Sequence, residues 1–213
     1  MADYTGIEEQ FESAGQREYA DTFGMWIFLA TEVLFFGGLF LAYAVGVFNE
    51  AEGFRLARQE TNLLLGSVNT GLLLTSSFVM TLALRAAQVG NPRPVRALLL
   101  LCVAIGTAFL MLKGYEYVED AHKHLVPTFA FEWDKPHPEA ARHFFFLYFV
   151  MTGLHFVHLT IAVGLAGVLA ITIPRAAPPP GWQARMEVTS LYWHFVDIIW
   201  VIFFVLLYLG GRT

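Results

Sequence analysis

The chain has 213 residues, of which 56% are hydrophobic and 15% charged, and its mean hydropathy is +0.54. This composition is far more apolar than that of a soluble domain, so it predicts an integral membrane protein with short loops and no sizeable extramembrane domain. The formal net charge of −5 argues against a nucleic-acid partner and offers no basic patch for anionic lipid headgroups. The single cysteine, Cys102, excludes an intrachain disulfide and a thiolate metal cluster.

The N-terminus is an acidic tail, residues 1–21, that holds six carboxylates against one basic residue, Arg17. It has no basic start and no separate short apolar core, so we do not expect a signal peptide. The first apolar run covers residues 22–48 and contains one formal charge, Glu32, near its middle. As a helix this run is about 40 Å long, enough to cross a hydrocarbon core of about 30 Å.

Glu32 requires an explanation, because a carboxylate at the bilayer centre costs about 2.5 to 3.5 kcal/mol on insertion scales. Such a group is tolerated when it faces other helices, pairs with a donor or stays protonated. Two interpretations are therefore open for Glu32. One is a proton, ion or lipid-headgroup site, and the other is a hydrogen-bonded acid that holds helices together.

Four more apolar runs follow, each long enough to span a bilayer. They cover residues 61–85, 95–118, 143–173 and 187–209, and a short C-terminal tail covers residues 210–213. The second of the five runs is rich in Ser, Thr, Asn and Gly, which let helices approach closely, so we expect it inside the protein. The sequence thus predicts an all-α membrane protein, a bundle of five transmembrane helices.

Polar side chains within these runs are the candidates for function. Lys113 and Glu116 are three residues apart on one side of a helix, so they can neutralise each other at the membrane boundary. The other candidates lie in the fourth and fifth runs: His155, His158, Glu187, His194 and Asp197. Trp193 and Trp200 share the side of the helix that holds Asp197, and such rings sit at a headgroup level or pack against a neighbouring subunit.

Three chemistries compete for this polar set. Haem ligation needs histidines on facing helices, which the fourth and fifth runs could supply with a single pair of ligands. Metal redox catalysis needs three or four convergent ligands, for which His155, His158 and His194 have usable spacing. A proton or ion path would use Glu32 with the histidines as relay groups.

A structural use is the simpler alternative for the histidines, because a neutral imidazole both donates and accepts one hydrogen bond and so can join helices. Four further histidines lie in the loop of residues 121–143, but their spacing fits no common metal site, so we predict no metal. The residues alone therefore favour a compact helical subunit that assembles with other membrane subunits.

Charge does not orient the chain in the membrane. Six Lys and Arg residues lie on each side of the five predicted spans, so the positive-inside rule does not predict which side faces the cytoplasm. Those on the N-terminal side are Arg17, Arg85, Arg93, Arg96, Arg175 and Arg185. Those on the other side are Arg55, Arg58, Lys123, Lys135, Arg142 and Arg212.

Three motifs, in order along the chain, resemble those of a known family. Residues 24–36 (GMWIFLATEVLFF) resemble its G-x-W-x-F-x-x-S/T-E segment, and residues 152–158 (TGLHFVH) resemble its T-G-x-H-x-x-H helix. Residues 192–200 (YWHFVDIIW) resemble its Y-W-H-F-V-D-x-x-W signature, and residues 113–117 (KGYEY) match a looser element. The family is subunit III of the haem-copper respiratory oxidases. The chain is most similar to the short, five-helix bacterial form of its cytochrome c oxidase branch.

This resemblance implies a non-catalytic subunit in a bacterial inner membrane, with a cytoplasmic N-terminus. Haem and copper would belong to partner subunits, and this chain would bind neither. It would pack against catalytic subunit I, which reduces oxygen to water and pumps protons, and would assemble with subunit II. The resemblance further implies support of proton uptake, protection from inactivation during turnover, and bound phospholipid.

The motif match also assigns roles to individual residues. Glu32 corresponds to the family's intramembrane, carbodiimide-reactive carboxylate, related to protons or lipid. The remaining polar residues would serve internal packing or lipid contact, and they are Glu116, His155, His158, Glu187, His194 and Asp197. None of them is expected to be catalytic.

Alternatives stay open beside this assignment. Two are close: subunit III of a quinol oxidase, and the related accessory protein of nitric oxide reductases. Glutamate rather than aspartate at position 32, and the element at residues 113–117, favour the cytochrome c branch. Two alternatives of a different class are a small proton-conducting protein and a haem-binding membrane anchor. The electron donor, the bound lipids and membership of a larger respiratory supercomplex are not determined by the sequence.

Overall fold

The computed structural model describes residues 14–128, 131–173 and 181–210. Within these ranges the chain forms five helices long and apolar enough to cross a membrane, and one short helix. They are α1 (Ala14–Asn49), α2 (Ala51–Arg58), α3 (Leu63–Gln88), α4 (Pro92–His122), α5 (Pro138–Thr172) and α6 (Trp182–Phe203). The predicted fold class, an all-α bundle of five transmembrane helices, is confirmed. Residues 1–13 of the predicted acidic tail and the last three residues of the C-terminal tail lie outside the described ranges.

The last transmembrane helix changes its winding near its end. After Phe203, α6 continues as a π-helical segment over Phe204–Leu209. In a π-helical turn each N–H pairs with a different carbonyl group than in an α-helix. Carbonyl groups without a partner inside a helix can accept a hydrogen bond from a side chain. Here the Tyr43 hydroxyl of α1 donates to the Leu206 carbonyl oxygen at 2.7 Å. The segment is thereby joined to the first span.

The helix α2 lies where the sequence indicates only a polar link between the first two spans. It is amphipathic: Phe54 and Ala57 are buried, while Glu52 and Arg55 face solvent. Phe54 packs edge-on against Phe144 of α5, with ring centroids 5.6 Å apart. Because only eight residues are involved, this burial against α5, rather than intrinsic helix propensity, stabilises the helix.

The helix α6 is the most enclosed of the five spans. Of its most apolar 18-residue window, 56% is buried, against 11% for α1. It contacts α1, α3 and α5, and α4 packs against α3 and α5. Gly106 of α4 lies close to Val163 of α5 and Trp193 of α6. A Cβ at this position would be only 2.6 Å from Val163 and 3.1 Å from Trp193, so the close approach requires glycine.

Trp193 and Trp200, two of the three tryptophans of α6, lie inside the bundle. Both are fully buried, so the prediction that they sit at a headgroup level or against a neighbouring subunit is wrong. Trp193 Nε1 donates to Ser76 Oγ at 3.2 Å, and Trp200 Nε1 donates to Thr70 Oγ1 at 3.1 Å. The hydroxyl groups of α3 therefore satisfy the indole N–H groups in an interior without water to do so.

Candidate functional site

The mid-membrane carboxylate Glu32 of α1 pairs with His158 of α5. Glu32 Oε2 lies 3.1 Å from His158 Nε2, and the two side chains are 17% and 14% exposed. The other ring nitrogen, Nδ1, lies 2.8 Å from the Leu154 carbonyl oxygen. Phe36 packs edge-on against the imidazole with ring centroids 5.2 Å apart. The pair thus joins the least enclosed helix to the bundle.

The hydrogen bonds of His158 constrain where its protons lie. A backbone carbonyl can only accept, so Nδ1 must carry a hydrogen and donate to Leu154. Nε2 then either accepts from a protonated Glu32 or, in an imidazolium, donates to the Glu32 carboxylate. In both arrangements one proton lies between the two side chains and the pair is neutral as a whole. Neutrality is what an apolar interior favours.

A second polar cluster surrounds Lys113, and it satisfies every donor that the ammonium group has. Lys113 Nζ donates to Glu116 Oε2 at 3.0 Å, to the Tyr148 hydroxyl at 2.7 Å and to the Tyr208 hydroxyl at 2.8 Å. The two tyrosines in turn donate to Glu116 Oε1, at 3.0 and 2.9 Å. The Lys113 side chain is 1% exposed and that of Glu116 is 2% exposed. We call these four residues the lysine cluster.

The lysine cluster joins α4, α5 and the π-helical end of α6. Its ammonium group also lies within 6 Å of four aromatic ring centroids, the nearest being Tyr148 at 4.5 Å. A cation is stabilised by ring faces in addition to its hydrogen bonds. The ion pair that the three-residue spacing predicts is therefore present, inside the protein and not in contact with water. Its closed geometry suits helix packing, since no donor remains for a ligand.

His194 of α6 bonds the hydroxyl-rich helix α3. Its Nδ1 lies 2.8 Å from Ser77 Oγ, and its Nε2 lies 3.5 Å from Thr81 Oγ1. The ring is half-buried. His194 therefore links α6 to α3, as do the indole of its neighbour Trp193 and that of Trp200, six residues further along α6.

Two candidates are buried without a hydrogen bond to the described residues. They are His155, with both ring nitrogens, and Asp197, with both carboxyl oxygens. His155 lies among Phe109, Trp200 and Phe203, with centroid separations of 5.8, 5.2 and 5.9 Å. Buried polar groups usually have partners. For His155, the surrounding aromatic rings and not hydrogen bonds to the described residues hold the side chain in place.

Glu187 lies apart from the other candidates. It is half-buried near the start of α6 and makes no hydrogen bond or ion pair with the described part of the chain. The structure therefore brings Glu32 together with His158, and Glu116 together with Lys113, but it does not bring Glu187 to either cluster.

The three membrane histidines do not converge on one centre. His158 faces Glu32, His194 faces Ser77, and His155 is enclosed by aromatic rings. Among the described residues, no group of three or more His, Cys, Asp or Glu side chains is arranged to hold a metal ion. The arrangement is therefore one of separate helix-to-helix contacts.

Several residues of these clusters are missed by reading the sequence. Tyr148 and Tyr208 complete the lysine cluster, Ser77 binds His194, and Tyr43 accepts a 2.8 Å hydrogen bond from Arg58 Nε. For Tyr148 a signal exists, because it precedes Thr152 and His155 by four and seven residues on the same helix face. For the others the partner lies far away in sequence, and no local pattern points to it.

Comparisons with known proteins agree on one family. The family model described as cytochrome c oxidase subunit III matches residues 7–212. Cytochrome c oxidase subunit 3 of Thermostichus vulcanus is 31% identical over 193 residues, covering 89% of this chain and 87% of that protein. Quinol oxidase subunit 3 of Bacillus subtilis is 27% identical over 188 residues, covering 88% of this chain and 86% of that protein.

Proposed function

This chain belongs to the cytochrome c oxidase subunit III family, and from that premise we propose that it is the non-catalytic subunit III of a bacterial cytochrome c oxidase. Membership of the family implies a multi-pass membrane protein that associates with other oxidase subunits. In our proposal it packs against catalytic subunit I, assembles with subunit II, and supports proton uptake, stability during turnover and lipid binding.

One observation carries the non-catalytic assignment: the polar side chains of the membrane interior that have partners in the described part of the chain form separate groups and do not converge on one centre. Glu32 joins α1 to α5, the lysine cluster joins α4, α5 and α6, and His194 joins α6 to α3. A redox site would instead need several ligands directed at one centre. We therefore propose that haem and copper reside in the partner subunits.

The proposal also names the electron donor of the oxidase, cytochrome c and not a quinol. Relatives named as cytochrome c oxidase and as quinol oxidase subunit 3 match with similar identity, 31% and 27%. We favour cytochrome c because position 32 is glutamate and because the element at residues 113–117 is present. Lys113 and Glu116 of that element belong to the lysine cluster, so the element helps to join α4 to α5 and to the end of α6.

The test is to purify the complex that contains this chain in a mild detergent. We expect the absorption spectrum of haem and copper in the complex, and oxygen consumption with reduced cytochrome c as the donor. Activity with a quinol and none with cytochrome c would move the assignment to the quinol oxidase branch. The control is the chain expressed without its partners, and haem absorbance in that preparation would contradict the non-catalytic role.

We propose that the N-terminus lies in the cytoplasm, and thiol labelling tests this. In a Cys102→Ala background, Val89→Cys places a thiol in the turn between α3 and α4, and Asp134→Cys places one between α4 and α5. Both positions are exposed. A membrane-impermeant maleimide should label Asp134→Cys in cells with a permeable outer membrane, and Val89→Cys only after lysis. The reverse pattern would invert the topology.

A further inference from the structure

The half-buried imidazole of His194 lies near the middle of the membrane. His194 belongs to the span Trp182–Leu209, and it lies roughly 18 Å from the first residue of that span and about 22 Å from the last. Its partner Ser77 is equally near the middle of the span Leu63–Gln88. A hydrocarbon core of about 30 Å therefore surrounds both residues. Lipid headgroups, which lie at the two ends of a span, do not reach this depth.

One ring nitrogen of His194 lacks a good hydrogen bond. Nδ1 lies 2.8 Å from Ser77 Oγ, but Nε2 lies 3.5 Å from Thr81 Oγ1, at the outer limit for such a bond. The Thr81 hydroxyl already donates its one hydrogen to the Ser77 carbonyl oxygen at 3.0 Å. Nε2 therefore keeps the capacity to donate or to accept, depending on the tautomer. Because the ring is only half-buried and Thr81 is exposed, this capacity is open to a neighbour outside the chain.

Exposed hydroxyl groups on other spans are satisfied within their own helix. Thr31 of α1, Thr107 of α4 and Thr160 of α5 each donate to a carbonyl oxygen three or four residues earlier, at 2.7, 2.7 and 2.8 Å. Such surfaces suit lipid chains, because these hydroxyl hydrogens are already bonded. The unfilled nitrogen of His194 does not, since acyl chains offer neither donors nor acceptors. His194 thus indicates a surface that protein covers in the membrane.

The surface around His194 is a groove between two helices. An arc of neighbouring helices surrounds α6, with α1 packed on α5, α5 on α4, and α4 on α3. Among the described helices, this arc is open between α1 and α3, which have no extensive contact with each other. The partly or fully exposed residues of α6 lie three or four positions apart and so share one face, and they are Glu187, Leu191, His194, Ile198 and Ile202. We call this face, flanked by α1 and α3, the α6 groove.

We propose that a transmembrane helix of a partner oxidase subunit lies in the α6 groove and bonds His194 Nε2 through a hydroxyl or amide side chain. Hydroxyl and amide groups can donate or accept, so they suit either tautomer of the ring. Hydrogen bonds of this kind join helices within membranes. This contact rests on the proposed function, because it requires a partner subunit, and it adds the face that the partner uses and the atom that it bonds.

A second copy of this chain fits the α6 groove less well. In a twofold pair with both copies in the same orientation in the membrane, a residue near the axis faces its own counterpart. Glu187, which is half-buried on the groove face, would then lie opposite the partner copy's carboxylate. Two carboxylates repel each other, and the repulsion is stronger where water is scarce. A different polypeptide avoids this juxtaposition.

Photocrosslinking in the purified oxidase complex tests where the partner lies. Ile198→p-benzoylphenylalanine places a photoreactive group in the α6 groove, one turn from His194. Met111→p-benzoylphenylalanine is the matched control on the outward face of α4, and the two positions are 60% and 65% exposed. We expect position 198 alone to form a covalent adduct with a transmembrane helix of another oxidase subunit, identified by peptide mass analysis.

Three results of the crosslinking would overturn the proposed contact. They are no protein adduct from position 198, equal adducts from both positions, and an adduct between two copies of this chain. Any of them, obtained in a complex that carries haem, leaves the proposed function intact. A preparation with no haem-bearing partner would contradict the proposed function as well.

The hydrogen bond itself is tested by how readily this chain dissociates when the complex is diluted in detergent, measured by native mass spectrometry. His194→Leu should raise the dissociation constant about three- to tenfold, the range for one hydrogen bond between membrane helices, with haem content unchanged. His194→Gln, whose amide can donate or accept, should keep part of the affinity. An unchanged dissociation constant in His194→Leu would show that no partner bonds the ring.

Two control variants separate this contact from internal packing. Ser77→Ala removes the same bond within the chain but leaves His194 available, so it should keep the affinity of the parent. Thr160→Val removes an exposed hydroxyl from the outward face of α5 and should also have no effect. Equal losses in Ser77→Ala and His194→Leu would show that the imidazole only supports packing of α6 on α3, and would overturn the proposal. Circular dichroism checks that each variant is folded.

Discussion

Two ion pairs of this protein have the same spacing and very different surroundings. Lys113 and Glu116 of α4, and Glu52 and Arg55 of α2, each lie three residues apart. The side chains of the first pair are 1% and 2% exposed, and those of Arg55 and Glu52 are 44% and 56% exposed. Water can replace the contacts of the exposed pair, whereas only protein atoms satisfy the buried one. Two ion pairs with the same sequence spacing therefore differ in how much their loss should lower the stability of the protein.

The largest effect is expected for Lys113→Met. This change leaves the Glu116 carboxylate buried without its cation, and removal of one partner of a buried ion pair costs about 3 to 5 kcal/mol. The free energy of unfolding, measured by denaturant titration in detergent with circular dichroism, should fall by this amount.

The double variant Lys113→Met/Glu116→Gln separates the charge from the packing. It removes both charges, so it should recover part of the lost stability. A double variant no more stable than Lys113→Met would mean that packing against the tyrosine rings, and not the ion pair, stabilises this region.

An intermediate effect is expected for the pair of Glu32 and His158, which is 17% and 14% exposed. Glu32→Ala and His158→Ala should each lower the free energy of unfolding by about 0.5 to 2 kcal/mol, the range of hydrogen bonds between membrane helices. Because the two side chains bond each other, the double variant should lose less than the sum of the single losses. Additive losses would contradict the contact.

The matched control for that pair is Glu32→Gln, whose amide can donate to His158 Nε2 and should preserve stability. In the assembled oxidase, Glu32→Ala should leave haem and copper content intact and shorten the active lifetime during turnover. Loss of the cofactors themselves, seen in the absorption spectrum, would contradict a supporting role for this residue.

A smaller effect is expected for His155→Leu. The ring makes no hydrogen bond with the described residues and contacts three aromatic rings. Replacing an unpaired polar side chain by an apolar one of similar size should change the free energy of unfolding by less than about 1 kcal/mol. A loss as large as that of Lys113→Met would show that the imidazole has a partner of its own.

The smallest effect is expected for the exposed pair. The hydrogen bond from Arg55 lowers the pKa of Glu52 below its ordinary value of 4.5. A lowered carboxyl pKa adds stability above the unfolded-state pKa and loses it as pH falls through the folded-state value. Solvent screening keeps this contribution small, so the melting temperature of Arg55→Gln should match the parent at pH 7 and pH 3. A clear difference confined to pH 7 would show that the pair matters.

The number and order of the spans could be predicted because a bilayer demands about 20 consecutive apolar residues for each helix. The helix α2 could not be predicted, because a segment of eight residues is stable as a helix only through its packing against α5, which is far away in sequence. The ion pair of Lys113 and Glu116 follows from helical periodicity. That it is buried with Tyr148 and Tyr208 does not, because those residues come from two other helices.

The sequence by itself determined which segments enter the membrane, which polar side chains enter with them, and to which family the chain is similar. Only the tertiary structure decided that His158 meets Glu32 while His155 meets aromatic rings, and that Trp193 and Trp200 face inward. The reason is physical: hydrophobic length is a property of one helix, whereas the rotation and relative height of neighbouring helices depend on packing between distant residues.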